Sequence, residues 1–164
     1  MPAVLIRAIE PSDLQGLIAV YHDAVISQTQ ELYTERQIRA WAGHAARSPD
    51  LHQAVKRGYG LLACNPAATE DHNQTFEAFA LLDPADRLSL LYCRGRSSRR
   101  GLATRLVTAL EAHAAAQGIQ RLRTEASQLS RPLLERLGWQ VKTEEELIFA
   151  GEPFRRWRME RHLG

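Results

Sequence analysis

The hydrophobic positions of this chain follow two periods, and the two alternate along its length. Val4, Ile6 and Ala8 alternate with Leu5, Arg7 and Ile9, a strand pattern that ends at Glu10-Pro11. Leu14, Leu17, Ile18, Tyr21 and Val25 then recur at helical spacing, with Ser12 as the expected N-cap and Asp13 in the first turn. Thr34-Glu35-Arg36-Gln37 has capping-box form and predicts a second helix with Ile38 and Trp41 on its buried side. Gly60 to Cys64, Phe76 to Leu82 and Arg87 to Cys93 read as strands, the first two separated by a polar hairpin loop over Asn65 to Gln74 and the last two by a turn at Asp83-Pro84.

The longest helical pattern follows. Leu102, Leu106, Leu110 and Ala114 stand at steps of four on one face, and Gly118 stops the helix. Arg121 to Glu125 predicts a short strand and Gln128 to Leu137 a helix ended by Gly138. Val141 to Phe149 and Phe154 to Arg161 predict a closing hairpin around Ala150-Gly151-Glu152. The order β-α-α-β-β-β-α-β-α-β-β indicates a mixed α/β (α+β) sheet with helices on its faces. Without repeats or linkers, residues 1–164 are expected to form one domain.

Composition narrows the classes. An apolar fraction of 45% and a charged fraction of 24% are ordinary globular values, and a core of this size needs no disulfide staple. The two cysteines, Cys64 and Cys93, have no zinc or redox spacing, which favours a reducing, cytoplasmic compartment. No basic start with an apolar run marks a signal peptide, and no run of about 18 apolar residues predicts a membrane span. The six histidines show no metal spacing. The net charge is only +2, but five arginines fall between Arg94 and Arg105 and four between Arg155 and Arg161.

The first of these clusters lies where chemistry is expected. An apolar strand, Leu88 to Cys93, runs through a basic loop into Ser98-Arg99-Arg100-Gly101-Leu102-Ala103-Thr104 and directly into the long helix. A helix N-terminus offers unpaired N–H groups and about half a positive charge, the elements of a pyrophosphate site. Gly101 and Ala103 are small enough for phosphates to approach the backbone, and Arg99 and Arg100 add donors. The plainer reading is a solvated arginine loop before a helix.

These residues resemble the GNAT superfamily of N-acetyltransferases. The family's phosphate motif, Q/R-x-x-G-x-G/A after a strand ending like L-Y-V-x-P, is similar to Leu91-Tyr92-Cys93 followed by Arg99 to Thr104. Ser127 to Trp139 resembles the family's second helix, which ends in G-F or G-W. The Gly151 turn with Arg158-Met159-Glu160 resembles the end of many members. Tyr33 to Ile38 with Trp41 is similar to a Y-x-x-x-Q…W pattern of one bacterial branch. The departures are Ser98 at the usual Gln or Arg, Gly95 at the usual proline, Ser127 at the usual asparagine, and Leu134 at the usual tyrosine, which commonly serves as general acid.

The resemblance implies a mostly antiparallel sheet of about seven strands flanked by about four helices. It also implies an acetyl-CoA-dependent N-acetyltransferase acting by direct transfer in a ternary complex, with no metal. Backbone groups of Leu91, Tyr92 and Cys93 would meet the pantetheine and thioester. Ser98, Arg99, Arg100, Gly101, Leu102, Ala103 and Thr104 would hold the pyrophosphate, with Ser127 and Ser130 nearby. Tyr33 and Trp41 would line the acceptor pocket or, alternatively, only pack helix on sheet. Glu125 is the first candidate for general base, against a salt-bridged surface carboxylate, with Glu77 and His44 as alternatives. Cys93 reads as a small core residue rather than a nucleophile, and Tyr92 as a packing residue.

The expected partners are a small-molecule or peptide amine, and a homodimer stays open. A non-catalytic CoA-binding module is the runner-up function. Nucleic-acid binding is disfavoured because no aromatics interleave the arginine patches.

Overall fold

The computed structural model describes residues 4–65 and 75–164. Strands β1 (Leu5–Ala8), β2 (Tyr59–Cys64), β3 (Phe76–Leu82), β4 (Arg87–Cys93), β5 (Arg121–Ala126), β6 (Gln140–Phe149) and β7 (Glu152–His162) form one sheet in the order β1-β2-β3-β4-β5-β7-β6. All neighbours are antiparallel except β4 and β5. Helices α1 (Leu14–Gln28), α2 (Glu35–His44) and α3 (Pro49–Arg57) cover one face, and α4 (Leu102–Ala116) and α5 (Arg131–Arg136) the other.

Each face has its own core. Leu17, Val20, Tyr21 and Val25 of α1 pack with Trp41 of α2 and Phe79 of β3. On the other side Leu102, Leu106, Leu110 and Ala114 of α4, the residues spaced by four, meet Leu88, Leu122 and Met159. The central strand β3 is buried along its whole length, as a strand covered on both faces must be.

Several boundaries differ from the sequence expectation. Ser12 does not cap α1. Pro11–Asp13 form a 3₁₀ turn, and Asp13 accepts the N–H of Glu10 at 2.8 Å and two bonds from the Arg7 guanidinium, each at 2.9 Å. Helix α3 was not anticipated. Ser48 caps it by accepting the Leu51 N–H at 3.2 Å, and Pro49 suits its first turn. Only Leu51, Ala54 and Val55 mark its buried side, too few for a clear period. Among the described residues, five α-helices therefore stand where about four were expected. Helix α5 starts at Arg131, not Gln128, because Ser127 and Ser130 close a turn by exchanging side-chain-to-backbone bonds of 3.0 and 3.1 Å. The Thr34 capping box is present as read. The expected loop over Asn65 to Gln74 lies almost wholly outside the described residues. No helix among those described is long and apolar enough to cross a membrane.

Two features of β4 position the site. Its pairing with β3 skips one residue: Leu82 faces Leu88 and Leu81 faces Leu90, so Ser89 forms a β-bulge and its hydroxyl donates to the Leu81 carbonyl at 3.1 Å. The bulge shifts the alternation, so Leu88, Leu91 and Cys93 join the α4-side core while Leu90 and Tyr92 join the α1–α2 core. Pairing of β4 with the parallel strand β5 covers only Arg87 with Arg123 and Leu88 with Thr124. Beyond these pairs the two strands part, and a gap opens through the sheet.

Candidate active site

At the C-terminal end of β4 the chain enters a loop held from two sides. Arg94, 6% exposed, donates from Nε to the Phe76 carbonyl at 2.6 Å. Asp23 of α1 accepts the Gly95 N–H at 3.0 Å. Glu77 of β3 accepts two bonds from the Arg96 guanidinium, at 2.9 and 3.0 Å, and the Ser97 hydroxyl at 2.7 Å. The candidate base Glu77 is thus a buried anchor of this loop and does not line the cleft.

The loop then turns sharply. Arg99 and Gly101 both adopt left-handed backbone, with φ of 63° and 79°. Left-handed residues in a turn point successive N–H groups into a shared concavity, which favours anions. The first helical bond of α4 runs from the Arg105 N–H to the Gly101 carbonyl at 3.0 Å, leaving the N–H groups of Leu102, Ala103 and Thr104 without helical partners. A Cβ built on Gly101 would meet nothing within 4 Å, so the space over this concavity is open. From Arg94 to Thr104 the loop carries no acidic residue. Its geometry and charge suit a phosphate group.

A cleft of about 1050 Å³ runs from this concavity through the β4–β5 gap to the far face of the sheet. Along it lie Leu91, Tyr92, Cys93, Ser98, Arg99, Gly101, Leu102, Ala103, Thr104, Ser127 and Ser130, together with Glu125, Tyr33 and Trp41. Arg100, expected among the cofactor-binding residues, does not line it. On β4 the Arg94 N–H donates to Glu77 of β3, so by strand alternation the backbone groups of Leu91 and Cys93 face the gap. One of these is engaged: the Gln28 side-chain amide donates to the Cys93 carbonyl, a contact that sequence reading missed.

On the α1–α2 side the walls are aromatic. Tyr92 stacks on Tyr21 with ring centroids 4.2 Å apart, and its hydroxyl accepts the Trp41 indole N–H at 3.1 Å. Desolvation pushes the Tyr92 hydroxyl above its usual range. Burial likewise pushes the Cys93 thiol up to about 11, with Glu77 adding to the effect, so near neutral pH it is a thiol and not a nucleophilic thiolate. Phe149 and Phe154, which sequence reading did not single out, complete the wall. They sit on β6 and β7, and the period-2 pattern of that hairpin was the signal available for them.

Glu125 projects from β5 on this same side and accepts a bond from Arg87 Nε at 3.0 Å. In the β5–β7 register it faces Arg158. His44, the other alternative base, lies outside the cleft with its ring 4.5 Å from Phe149, and burial lowers its pKa. Leu134, at 1% exposure, is sunk in the α4-side core and offers no proton. Tyr33 instead brings a hydroxyl to this part of the cleft, where it accepts the Gln128 N–H at 2.9 Å. Among the described residues no cluster of His, Cys, Asp or Glu is arranged to hold a metal ion.

Comparison with known proteins agrees with this geometry. No curated protein sequence matches the chain. Among solved structures, a GCN5-related N-acetyltransferase from Rhodopseudomonas palustris superposes with a TM-score of 0.84 at 25% identity, covering 99% of this chain and 96% of that one. The PaiA N-acetyltransferase of Thermoplasma acidophilum, solved in complex with coenzyme A, gives 0.70 at 18% identity, with 98% and 99% covered. A phosphinothricin acetyltransferase of Sinorhizobium meliloti, solved with AcCoA, gives 0.67 at 15% identity, with 98% and 89% covered. The last two likenesses concern the fold. The family model of the acetyltransferase (GNAT) domain matches residues 29–161. A family match over that span, on this fold, makes the chain a member of the GNAT acetyltransferase family.

Proposed function

We propose that the protein is a cytoplasmic N-acetyltransferase that moves an acetyl group from acetyl-CoA to a primary amine by direct transfer in a ternary complex. The observation that carries this reading is the continuity of the cleft. A phosphate-type concavity at the start of α4 opens into the β4–β5 gap, and the gap opens onto an aromatic pocket on the opposite face. The unpaired thiols of Cys64 and Cys93 suit a reducing compartment.

Acetyl-CoA supplies an activated acyl thioester, whose C–S bond breaks as the C–N bond to the amine forms. The residues of this chain bind, orient and move protons. The N–H groups from Leu102 to Thr104 and the Arg99 side chain hold the pyrophosphate. The gap-facing backbone of β4 aligns the pantetheine and donates to the thioester carbonyl. Glu125 takes the proton that the attacking ammonium must lose, directly or through water. The Tyr33 hydroxyl returns a proton to the departing thiolate, the role that Leu134 cannot fill.

The test is calorimetric titration with acetyl-CoA, followed by thiol release measured over a broad panel of primary amines. Stoichiometric micromolar binding with amine-dependent thiol release is expected. Absence of both heat and thermal shift with excess acetyl-CoA or CoA sinks the reading. A second reading, a CoA-binding module without catalysis, is favoured by the Arg87 partner on Glu125 and by Leu134. Tight CoA binding with no release for any amine would select it.

A further inference from the structure

We infer that the acceptor is a monoamine carried on a flat apolar body, an arylalkylamine being the class that fits best. The inference rests on the acetyltransferase reading and names the substrate of that same site. Its basis is the pocket on the α1–α2 side of the gap. Tyr33 and Trp41 stand 5.3 Å apart, Tyr33 and Phe154 5.7 Å, Trp41 and Phe154 6.0 Å, and Phe149 and Phe154 5.7 Å between ring centroids. The rings therefore form one continuous wall of tilted and edge-to-face contacts, the arrangement that receives another ring. Leu147, opposite Phe154 in the β6–β7 register, extends the apolar surface, and all five residues line the cleft.

Tyr33, Phe149 and Phe154 are only half-buried, although each packs on the α1–α2 core. Apolar surface left open in a concave site is the kind a ligand covers. The charges around the wall argue against a polycation. Glu125 is paired with Arg87, Glu145 with Arg156 and Arg158, and Glu144 with Arg155. Glu31 lies exposed at the outer lip, where a carboxylate attracts a second ammonium weakly. An amino acid acceptor would bring its carboxylate to cleft cations that are already paired, Arg155 with Glu144 and Arg156 with Glu145. An apolar lining also disfavours the charged ammonium and raises the share of free amine, the form that attacks. The wall thus shares the work of the base.

The experiment compares kcat/KM of the full chain for 2-phenylethylamine, 1,4-diaminobutane and glutamate, and repeats it on Phe154→Leu and Phe149→Leu. The aryl amine is expected to lead. Each variant should raise its KM by about tenfold or more, with KM for acetyl-CoA and Tm held, and with no similar loss for the diamine. A lead for the diamine or for glutamate, or an unchanged KM for the aryl amine in both variants, overturns the inference while leaving the acetyltransferase reading intact. If no amine is acetylated, N-(2-phenylethyl)acetamide is titrated into the CoA-loaded protein. Saturable binding that the Phe154→Leu change weakens upholds the acceptor class although transfer fails. No binding overturns the class as well.

Discussion

The Tyr33 hydroxyl accepts the backbone N–H of Gln128 at 2.9 Å, joining the segment before α2 to the segment before α5 across the mouth of the β4–β5 gap. Burial raises the pKa of this hydroxyl above its ordinary 10.0 despite the Gln128 bond, which favours the phenolate. A proton donor must be protonated to act. Its activity is therefore complete at neutral pH and is lost only as pH rises through the raised pKa. For Tyr33→Phe, kcat should fall by about 10² or more and the alkaline limb of the pH–rate profile should vanish, with KM for acetyl-CoA unchanged. A normal kcat with the alkaline limb intact removes Tyr33 from the proton path.

Glu125 and Arg87 make a linked prediction. Glu125→Gln keeps the shape, and kcat should fall by about 10²–10⁴ with CoA affinity retained. Arg87→Gln removes the cation 3.0 Å from the carboxylate. Without that bond the carboxylate loses the contact that fixes its direction, so kcat should fall, by less than in Glu125→Gln. A kcat that stays normal in both variants shows that another group accepts the proton.

Gly101 separates two costs. Its φ of 79° strains any side chain, whereas the space above it is open. Gly101→Asn tolerates left-handed backbone and should lose little stability. Gly101→Glu adds a carboxylate against the pyrophosphate, and CoA affinity should fall by at least about tenfold, or about 1.4 kcal/mol, while the protein remains folded. Equal CoA affinity in the two variants, measured by calorimetry, would place the phosphates elsewhere.

Asp13 sets an acid limit on stability. Burial opposes its charge, but the bonds from Arg7 and from the Glu10 N–H outweigh burial and hold its pKa below the ordinary value. A carboxyl depressed by folding stabilises above its unfolded pKa, about 3.9, and loses that contribution as pH falls through the folded value. Urea denaturation should show Asp13→Asn less stable than the parent at pH 7, the two converging toward pH 2. A constant difference across that range would mean that the effect comes from packing.

What was legible in the sequence is what depends on neighbours along the chain. The leucines of α4 carry their own period, and the strand, basic turn and helix start from Leu88 to Thr104 are contiguous, so both the helix and the phosphate-type loop could be read directly. Helix α3 escaped because its short buried side holds only three apolar residues. The start of α5 was placed too early because the exchange between Ser127 and Ser130 looks, in sequence, like a helix cap. The aromatic wall was only half visible, since Tyr33, Trp41, Phe149 and Phe154 lie on four segments that only the folded sheet unites. The anchoring role of Glu77, one of the alternative bases, was hidden for the same reason: its partners Arg96 and Ser97 belong to a different strand-to-loop junction.

The extra residue at Ser89 acts as a frameshift in space. Upstream of it β4 keeps one assignment of sides, and downstream the assignment is inverted. Ironing out the bulge with Ser89 kept in the ladder would slip the downstream residues by one, sending Tyr92 to the α4 side and turning Leu91 and Cys93 toward α1 and α2. Backbone groups that face the gap would swap with those that now hold β3. Ser89→Ala, which removes only the 3.1 Å bond to Leu81, leaves the count intact. The cleft is therefore specified by a parity as well as by side chains, and a one-residue slip of β4 that keeps every named residue would dismantle it.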